Sequence, residues 1–295
     1  MLWHLLLYMV KLIQKNYKYK EAIMKSKVLK LVMLLSVFLL ILSCGSDKKE
    51  EAKTGDAKTE AKTDNKEVKK YVIGSDTAFA PFEFKKDGKY EGIDIDIVNE
   101  IAKLEGFEVE WRHMDFSAII GAVQSGQLDG AIAGMTMNDE RRKTVDFSEA
   151  YYDTGIVGIV KADNNTINSP DDFKDKRLAV KKGTTGAEYA QSVKDKYNVK
   201  ITIFEDTSTM IQAVINGQAD VAFDDYPVIA YAITQQNPTQ LRIATERLNT
   251  AQFGFAVKKG ANAELLQKFN DGLKKLKDSG KYNEILEKYT GKAAK

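Results

Sequence analysis

The chain reads as an α/β protein built on parallel sheets, and three observations predict it. Short apolar strands alternate with amphipathic helices from Tyr71 onward. Glycines close the helical stripes where a left-handed cap is needed. A segment also echoes itself: Ile119-Ile-Gly-Ala-Val-Gln-Ser-Gly-Gln-Leu-Asp129 resembles Met210-Ile-Gln-Ala-Val-Ile-Asn-Gly-Gln-Ala-Asp220. Gly-x-x-Asp is ordinary helix-to-strand punctuation, which is one reading of the echo. The other is two similar lobes, each offering a loop to a shared cleft, and a separation of about 90 residues fits lobe size.

The 295 residues are 43% hydrophobic and 29% charged, enough for a substantial core. One cysteine excludes an internal disulfide framework and a cysteine-built zinc site. Two histidines, His4 and His113, leave little for a metal site or a Ser-His-Asp triad, so no cofactor or metal is expected. Residues 1–43 carry seven lysines and one glutamate; the rest carries 37 Lys+Arg against 41 Asp+Glu. A mildly acidic body argues against a nucleic-acid partner.

Leu31–Leu42 is an uncharged apolar run of twelve residues preceded by Lys25, Lys27 and Lys30 and followed by Ser43-Cys44. This is the pattern of a secretory signal over residues 1–43, with Met24 as the natural start. Ile41-Leu42-Ser43-Cys44 resembles a bacterial lipobox, which makes Cys44 the expected lipidation site and membrane anchor. A transmembrane anchor is the competing reading, but twelve residues fall short of the roughly 20 needed. In residues 45–70 fifteen of 26 are charged, so 44–70 reads as a lipidated cysteine and a solvated tether.

Tyr71–Ser75 is a short strand. Ile97, Ile101 and Leu104 form a helical stripe closed by Gly106; Phe107–Arg112 alternates like a strand. Ser117–Gln124 is a helix stopped at Ser125-Gly126, and Leu128–Ala133 is an apolar strand. Asn138 can cap a helix that has Asp139 and Glu140 in its first turn. Arg177–Val180 is a strand, and Gly183-Thr184-Thr185-Gly186 opens a helix at Ala187. In such sheets ligands bind beyond the carboxyl ends of the strands.

The loops there carry usable chemistry. Arg141 near a helix start suits a carboxylate, although it could be a solvated helix residue like Arg142. Asp224 and Asp225, at the end of a buried strand, suit an ammonium group or acid–base work, or Asp225 could cap the next helix. Backbone N–H groups at Gly183–Gly186 can cradle an anion. Phe79 and Phe116, in loops after strands, can sandwich an aliphatic stem.

Several segments in order resemble the polar amino-acid-binding proteins of ABC importers. They are Ser75-Asp-Thr-Ala-Phe-Ala-Pro-Phe-Glu-Phe84, Gly92-Ile-Asp-Ile-Asp96, Met114-Asp-Phe-Ser117, Ala133-Gly-Met-Thr-Met-Asn-Asp-Glu-Arg141, Asp146-Phe-Ser-Glu-Ala-Tyr-Tyr152, Gly183-Thr-Thr-Gly186 and Asp224-Asp-Tyr-Pro227. The likeness is nearest to the glutamine-binding branch. It implies a two-lobed periplasmic-binding-protein type II fold with two crossover strands at the hinge, near Gly158 and Gly254. Lobe 1 would be 71–158 plus 254–295 and lobe 2 would be 159–253. The resemblance further implies that Arg141, with backbone N–H of Thr136 and Thr185, holds an α-carboxylate. Asp225, the Gly134 carbonyl and the Thr136 hydroxyl would hold the α-ammonium, with Ala133 and Thr184 in the same lining loops. Phe79 and Phe116 would flank the ligand side chain, and Asp76 and Lys181 would meet its polar end. Where this chain has Asp224 some members carry histidine; the extra carboxylate would favour a basic ligand or point to solvent. The implied partners are a permease and separate ATPase subunits, for a monomer outside the cytoplasmic membrane. A same-fold enzyme, using Asp76 or Asp224, and a sensory module are the alternatives of other classes.

Overall fold

The structure, a computed structural model, describes residues 68–291 apart from residue 237. The expected signal, the lipidated Cys44 and residues 44–67 of the tether lie outside the described residues, as do 292–295. Among the described residues no helix is long and apolar enough to cross a membrane.

The chain begins with β1 (Lys70–Ser75), the hairpin β2 (Phe84–Lys86) and β3 (Lys89–Glu91), and α1 (Ile93–Glu105). It continues through β4 (Glu108–His113), α2 (Phe116–Ser125), β5 (Gly130–Ala131), the one-turn α3 (Asp139–Arg142), β6 (Val145–Phe147) and β7 (Tyr152–Thr154). Then come β8 (Ile156–Lys161), a 3-10 turn at Pro170–Phe173, β9 (Arg177–Lys181), α4 (Thr185–Tyr197) and β10 (Lys200–Phe204). They are followed by α5 (Thr207–Ile215), β11 (Val221–Asp225), α6 (Tyr226–Thr234) and β12 (Leu241–Ile243). The last elements are β13 (Ala251–Phe253), β14 (Ala256–Lys258), α7 (Ala263–Asp278) and α8 (Lys281–Thr290).

Two five-stranded sheets result, ordered β4-β1-β5-β14-β6 and β10-β9-β11-β8-β12. Each is parallel except for one strand, β14 in the first and β8 in the second. The reversed strands have a simple cause. β8 and β14 directly follow β7 and β13, which pair with each other (Thr154 with Ala251, Tyr152 with Phe253) and link the two lobes. A strand entering from the link runs against strands that leave toward the cleft. Gly158, where the first crossing was expected, pairs with Phe223 inside the second sheet; Gly254 directly follows β13.

The helices form where the periodicity places them. α1 buries Ile93, Ile97, Val98 and Ile101 and ends at Gly106, whose N–H bonds the Ala102 carbonyl from a left-handed conformation. α2 buries Phe116, Ile119 and Val123 and ends at Gly126 in the same way. The expected strand at Leu128–Ala133 shortens to Gly130–Ala131 in the ladder, although Asp129 and Ile132 N–H still bond Val72 and Gly74. α4 begins at Thr185, two residues ahead of the expected Ala187.

The echoed segments do the same job in both sheets. Asp129 Oδ2 accepts the Val72 N–H at 2.8 Å, while its own N–H bonds the Val72 carbonyl. Asp220 does likewise with Arg177, at 2.8 Å each way. One aspartate therefore clamps an inner strand to the end of a helix-turn unit in each lobe, which favours the two-lobe reading over simple punctuation.

An aromatic group packs against the linking strands. Phe82 meets Tyr152 and Phe253 edge-on, with ring centroids 5.0 and 5.1 Å apart. Gly92 holds the turn beneath it with φ 143°, and an added Cβ would lie 2.0 Å from the Phe82 carbonyl oxygen. Gly92→Ala is therefore expected to lower stability by about 2–4 kcal/mol, read as a denaturation midpoint shift at unchanged slope.

Candidate functional site

The carboxyl ends of β1, β4 and β5 and those of β9 and β11 carry every residue singled out in the sequence loops. The two sets meet across the lobes. Lys181, the last residue of β9, reaches Asp76 after β1; both are buried, at 2% exposure, and form an ion pair. The Lys181 ammonium also stands 5.1 Å from the Phe79 ring centre and 5.5 Å from that of Phe116. The two aromatic rings are thus brought together as expected, with a lysine ammonium against both. Asp76 has its second carboxylate oxygen on the Thr77 N–H at 2.7 Å.

Arg141 is 6% exposed, so it is not the solvated helix residue that spacing alone allowed. Asn138 caps α3 as expected, its side-chain oxygen accepting the Arg141 N–H at 2.8 Å. The guanidinium donates to the Thr136 carbonyl at 2.8 Å and, across the lobes, to the Gly183 carbonyl at 3.0 Å. It lies over the Phe116 ring at 5.3 Å. Burial pulls its pKa down from the ordinary arginine value, opposed by Glu188 and Asp225. Among the described residues no carboxylate lies within 4.0 Å of it.

Asp225 is 6% exposed and accepts the Thr154 hydroxyl at 2.8 Å. It stands at the N-cap position of α6 but makes no side-chain cap bond, so capping is not its role. Burial, then the neighbouring Asp224, pushes its pKa up to about 7; Thr154, Arg141 and Lys181 pull the other way. Asp224 does not point to solvent, one of the two readings its departure left open. It is 4% exposed, accepts the Thr207 hydroxyl at 3.0 Å and bonds the Asp225 N–H at 2.8 Å. Burial pushes its pKa up to about 6 against the pull of Lys181.

The remaining residues line the same loops. Ala133 and Thr136 are buried, and Thr136 bridges to Phe253 on β13. Gly134 has φ 51°, and a Cβ there would lie 2.2 Å from the Phe79 ring. Thr184 spends its hydroxyl on the N-terminus of α4, accepting the Ala187 N–H and donating to the Lys181 carbonyl. Thr185 is the first residue of α4, where N–H groups lack partners within the helix.

Sequence reasoning assigned nothing to Thr154 and Thr207, the hydroxyl partners of Asp225 and Asp224. Their signal is slight, because each is joined to its carboxylate only by the tertiary fold. Asp94 and Glu83 were also missed as individuals, although both sit in quoted segments. Asp94 Oδ2 accepts the Gly134 N–H at 2.8 Å and so ties α1 to the cleft loop.

A buried guanidinium from one lobe and a buried carboxylate from the other therefore stand among the strand ends where the two lobes meet, with no ion pair between them. Comparison with known proteins agrees with that architecture. The bacterial extracellular solute-binding proteins, family 3, match residues 71–292. A "Probable histidine-binding protein" of Neisseria gonorrhoeae is 32% identical over 227 residues, 76% of this chain and 84% of that protein. The "ABC transporter glutamine-binding protein GlnH" of Bacillus subtilis (strain 168) is 31% identical over 268 residues, 87% of this chain and 94% of its own. A solved structure of an ancestral arginine-binding protein bound to arginine superposes with TM-score 0.72 at 38% identity, covering 75% of this chain and 98% of that one. From its matching sequence and two-lobed α/β fold, the chain belongs to the bacterial extracellular solute-binding proteins, family 3.

Proposed function

We propose that this protein captures a single polar amino acid by closing its lobes over it and delivers it to a membrane permease driven by separate ATPase subunits. One observation carries the reading: buried Arg141 and buried Asp225 carry opposite charges on facing lobes without an ion pair between them. That suits a zwitterion, with its α-carboxylate on Arg141 and the N–H groups of Thr136 and Thr185. Its α-ammonium lies on Asp225, the Gly134 carbonyl and the Thr136 hydroxyl. Contacts from both lobes favour the closed arrangement when ligand is bound. Lipid attachment at Cys44 would hold the protein outside the cytoplasmic membrane.

Glutamine is the first choice of ligand and glutamate the second. Lys181 and Asp76 supply one donor and one acceptor beside the aromatic pair, which suits a carboxamide. A cationic side chain there would meet the Lys181 ammonium. Arginine or lysine ranks third, favoured by buried Asp224 and by relatives named for arginine. Catalysis is disfavoured because the available carboxylates are occupied, Asp76 by Lys181 and Asp224 by Thr207 and the Asp225 N–H.

Calorimetric titration of the protein, refolded to strip carried-over ligand, against all twenty amino acids tests this. One tight partner, glutamine first, is expected; no partner among the twenty sinks the assignment. The pH dependence is a sharper check. Below about pH 7 a proton sits on Asp225 and the ligand ammonium must displace it. The apparent Kd is expected to rise toward tenfold per pH unit below that point, with proton release in buffers of differing ionisation enthalpy. A flat Kd from pH 5 to 8 without proton release would remove Asp225 from the ammonium site.

A further inference from the structure

Beneath the cleft loops lies a pair of carboxyl groups that the proposed function leaves unused. Glu83 and Asp94 are each 0% exposed. Asp94 Oδ2 accepts the Gly134 N–H at 2.8 Å and the Tyr151 hydroxyl at 2.9 Å. Among the described residues no donor reaches Asp94 Oδ1 or either Glu83 carboxyl oxygen. The Asp94 N–H bonds the Phe82 carbonyl at 2.9 Å, which brings Asp94 against the residue next to Phe82, Glu83, and each carboxyl shifts the titration of the other. Two ionised carboxylates in that buried position would repel at close range and leave three oxygens without a protein donor. One shared proton removes the repulsion and reduces the three orphaned oxygens to one, since one Glu83 oxygen becomes a donor and Asp94 Oδ1 accepts from it.

The charged and titratable groups facing the pair are Asp76 after β1, Lys181 from β9, Tyr151 before β7 and Tyr282 of α8, whose hydroxyl donates to the Tyr151 carbonyl. Lys181 is already committed to Asp76, so it does not neutralise a second carboxylate. Tyr151 donates its hydroxyl, and burial keeps that proton on. Burial also pushes Glu83 well above the usual carboxylate range, with Asp94 the next cause, and lifts Asp94 to about 6.

The position of the pair gives it a task. The Glu83 backbone bonds Phe79 in both directions, its carbonyl accepting the Phe79 N–H at 2.7 Å and its N–H bonding the Phe79 carbonyl at 3.3 Å. Asp94 bonds Gly134, whose Cα is so near the Phe79 ring that no side chain would fit. Glu83 and Asp94 thus fasten the Phe79 and Gly134 loops to each other from below.

We propose that Glu83 and Asp94 hold one proton between them, with the Glu83 carboxylic acid donating to Asp94, and that this neutralised strut positions the Phe79 and Gly134 loops for ligand. The positioning half rests on reading those loops as the ligand site; the shared proton does not. Glu83 and Asp94 are positioning residues, one shell behind the groups that would touch ligand.

Infrared spectroscopy of the whole protein at pH 8, with Glu83→Gln as comparison, tests the proton. A carboxylic-acid C=O stretch is expected in the wild type and absent from Glu83→Gln, since Asp224 and Asp225 are largely ionised there. Binding of the amino acid that titrates best is then measured in Glu83→Gln and Glu83→Met. The glutamine amide still donates to Asp94, so Kd is expected to stay within about threefold; methionine fills the space without a donor, and Kd is expected to rise about tenfold. Absence of the wild-type stretch, or its survival in Glu83→Gln, overturns the shared proton. A Glu83→Gln loss as large as that of Glu83→Met, or wild-type binding by Glu83→Met, overturns the positioning role. If Glu83→Met does not fold, a Glu83→Gln loss of about tenfold or more still overturns the positioning role, and the infrared comparison still decides the proton. If no amino acid binds the wild type, the infrared comparison still tests the pair while the functional reading fails separately.

Discussion

Arg141→Ala is expected to weaken amino-acid binding by about a thousandfold or more, the scale for removing one partner of a buried, hydrogen-bonded charge pair. The effect is large because the guanidinium is fixed before ligand arrives. Asn138 sets the turn, Phe116 covers one face, and the Thr136 and Gly183 carbonyls hold two of its nitrogens. Arg141→Lys keeps the charge but loses the planar fork, so an intermediate loss is expected. Titration of both variants, with melting curves to verify folding, makes the comparison. Wild-type affinity in folded Arg141→Ala would remove this residue from the carboxylate site.

Asp225→Asn is expected to lose binding by more than a hundredfold and to gain stability at the same time. The sign follows from its raised pKa. A carboxyl that holds its proton more tightly when folded stabilises the fold below its unfolded pKa, near 4, and that contribution is lost as pH rises through about 7. At pH 8 the wild type therefore carries the full penalty of a buried charge beside Asp224. Asparagine keeps an acceptor for the Thr154 hydroxyl without that penalty. A gain of about 2 kcal/mol, or roughly 4–8 °C in melting temperature, is expected at pH 8 without ligand. The gain should shrink toward zero by pH 4. A variant no more stable than wild type at pH 8 would show that the charge is better compensated than burial implies. Such a local cost is what the proposed role of Asp225 as the ammonium partner would entail.

What the sequence revealed depended on how locally each feature is determined. Helix stops at Gly106 and Gly126 and the cap at Asn138 need only neighbours in the chain, and all three form as expected. The echo of Asp129 and Asp220 was visible because both make the same local turn before bonding an adjacent strand. The Lys181–Asp76 pair joins residues 105 apart across two lobes, and nothing near either residue announces it. Burial of Asp224 was open for the same reason, since Thr207 comes from a separate helix. Gly158 pairs within the second sheet while Tyr152–Thr154 pairs with β13, and extended chain runs almost unbroken from Tyr152 to Lys161. Only pairing, which periodicity does not encode, separates the linking strand from the sheet.

The strands of the second sheet all fall between Ile156 and Ile243, whereas the first sheet needs β14 at Ala256–Lys258 to join β5 to β6. The inner lobe can thus be completed from one uninterrupted stretch, while the outer one must wait for a segment more than a hundred residues downstream of β6. During synthesis from the N-terminus, the lobe holding Asp225 and Lys181 is able to mature first. The lobe holding Arg141 and Asp76 is left with an open sheet edge until the closing strand arrives. A chain ending before Ala256 would keep half the charged groups of the cleft on a finished scaffold and the other half on an unfinished one. The topology thus lets one sheet be completed from a continuous stretch while the other stays open until Ala256–Lys258 is available.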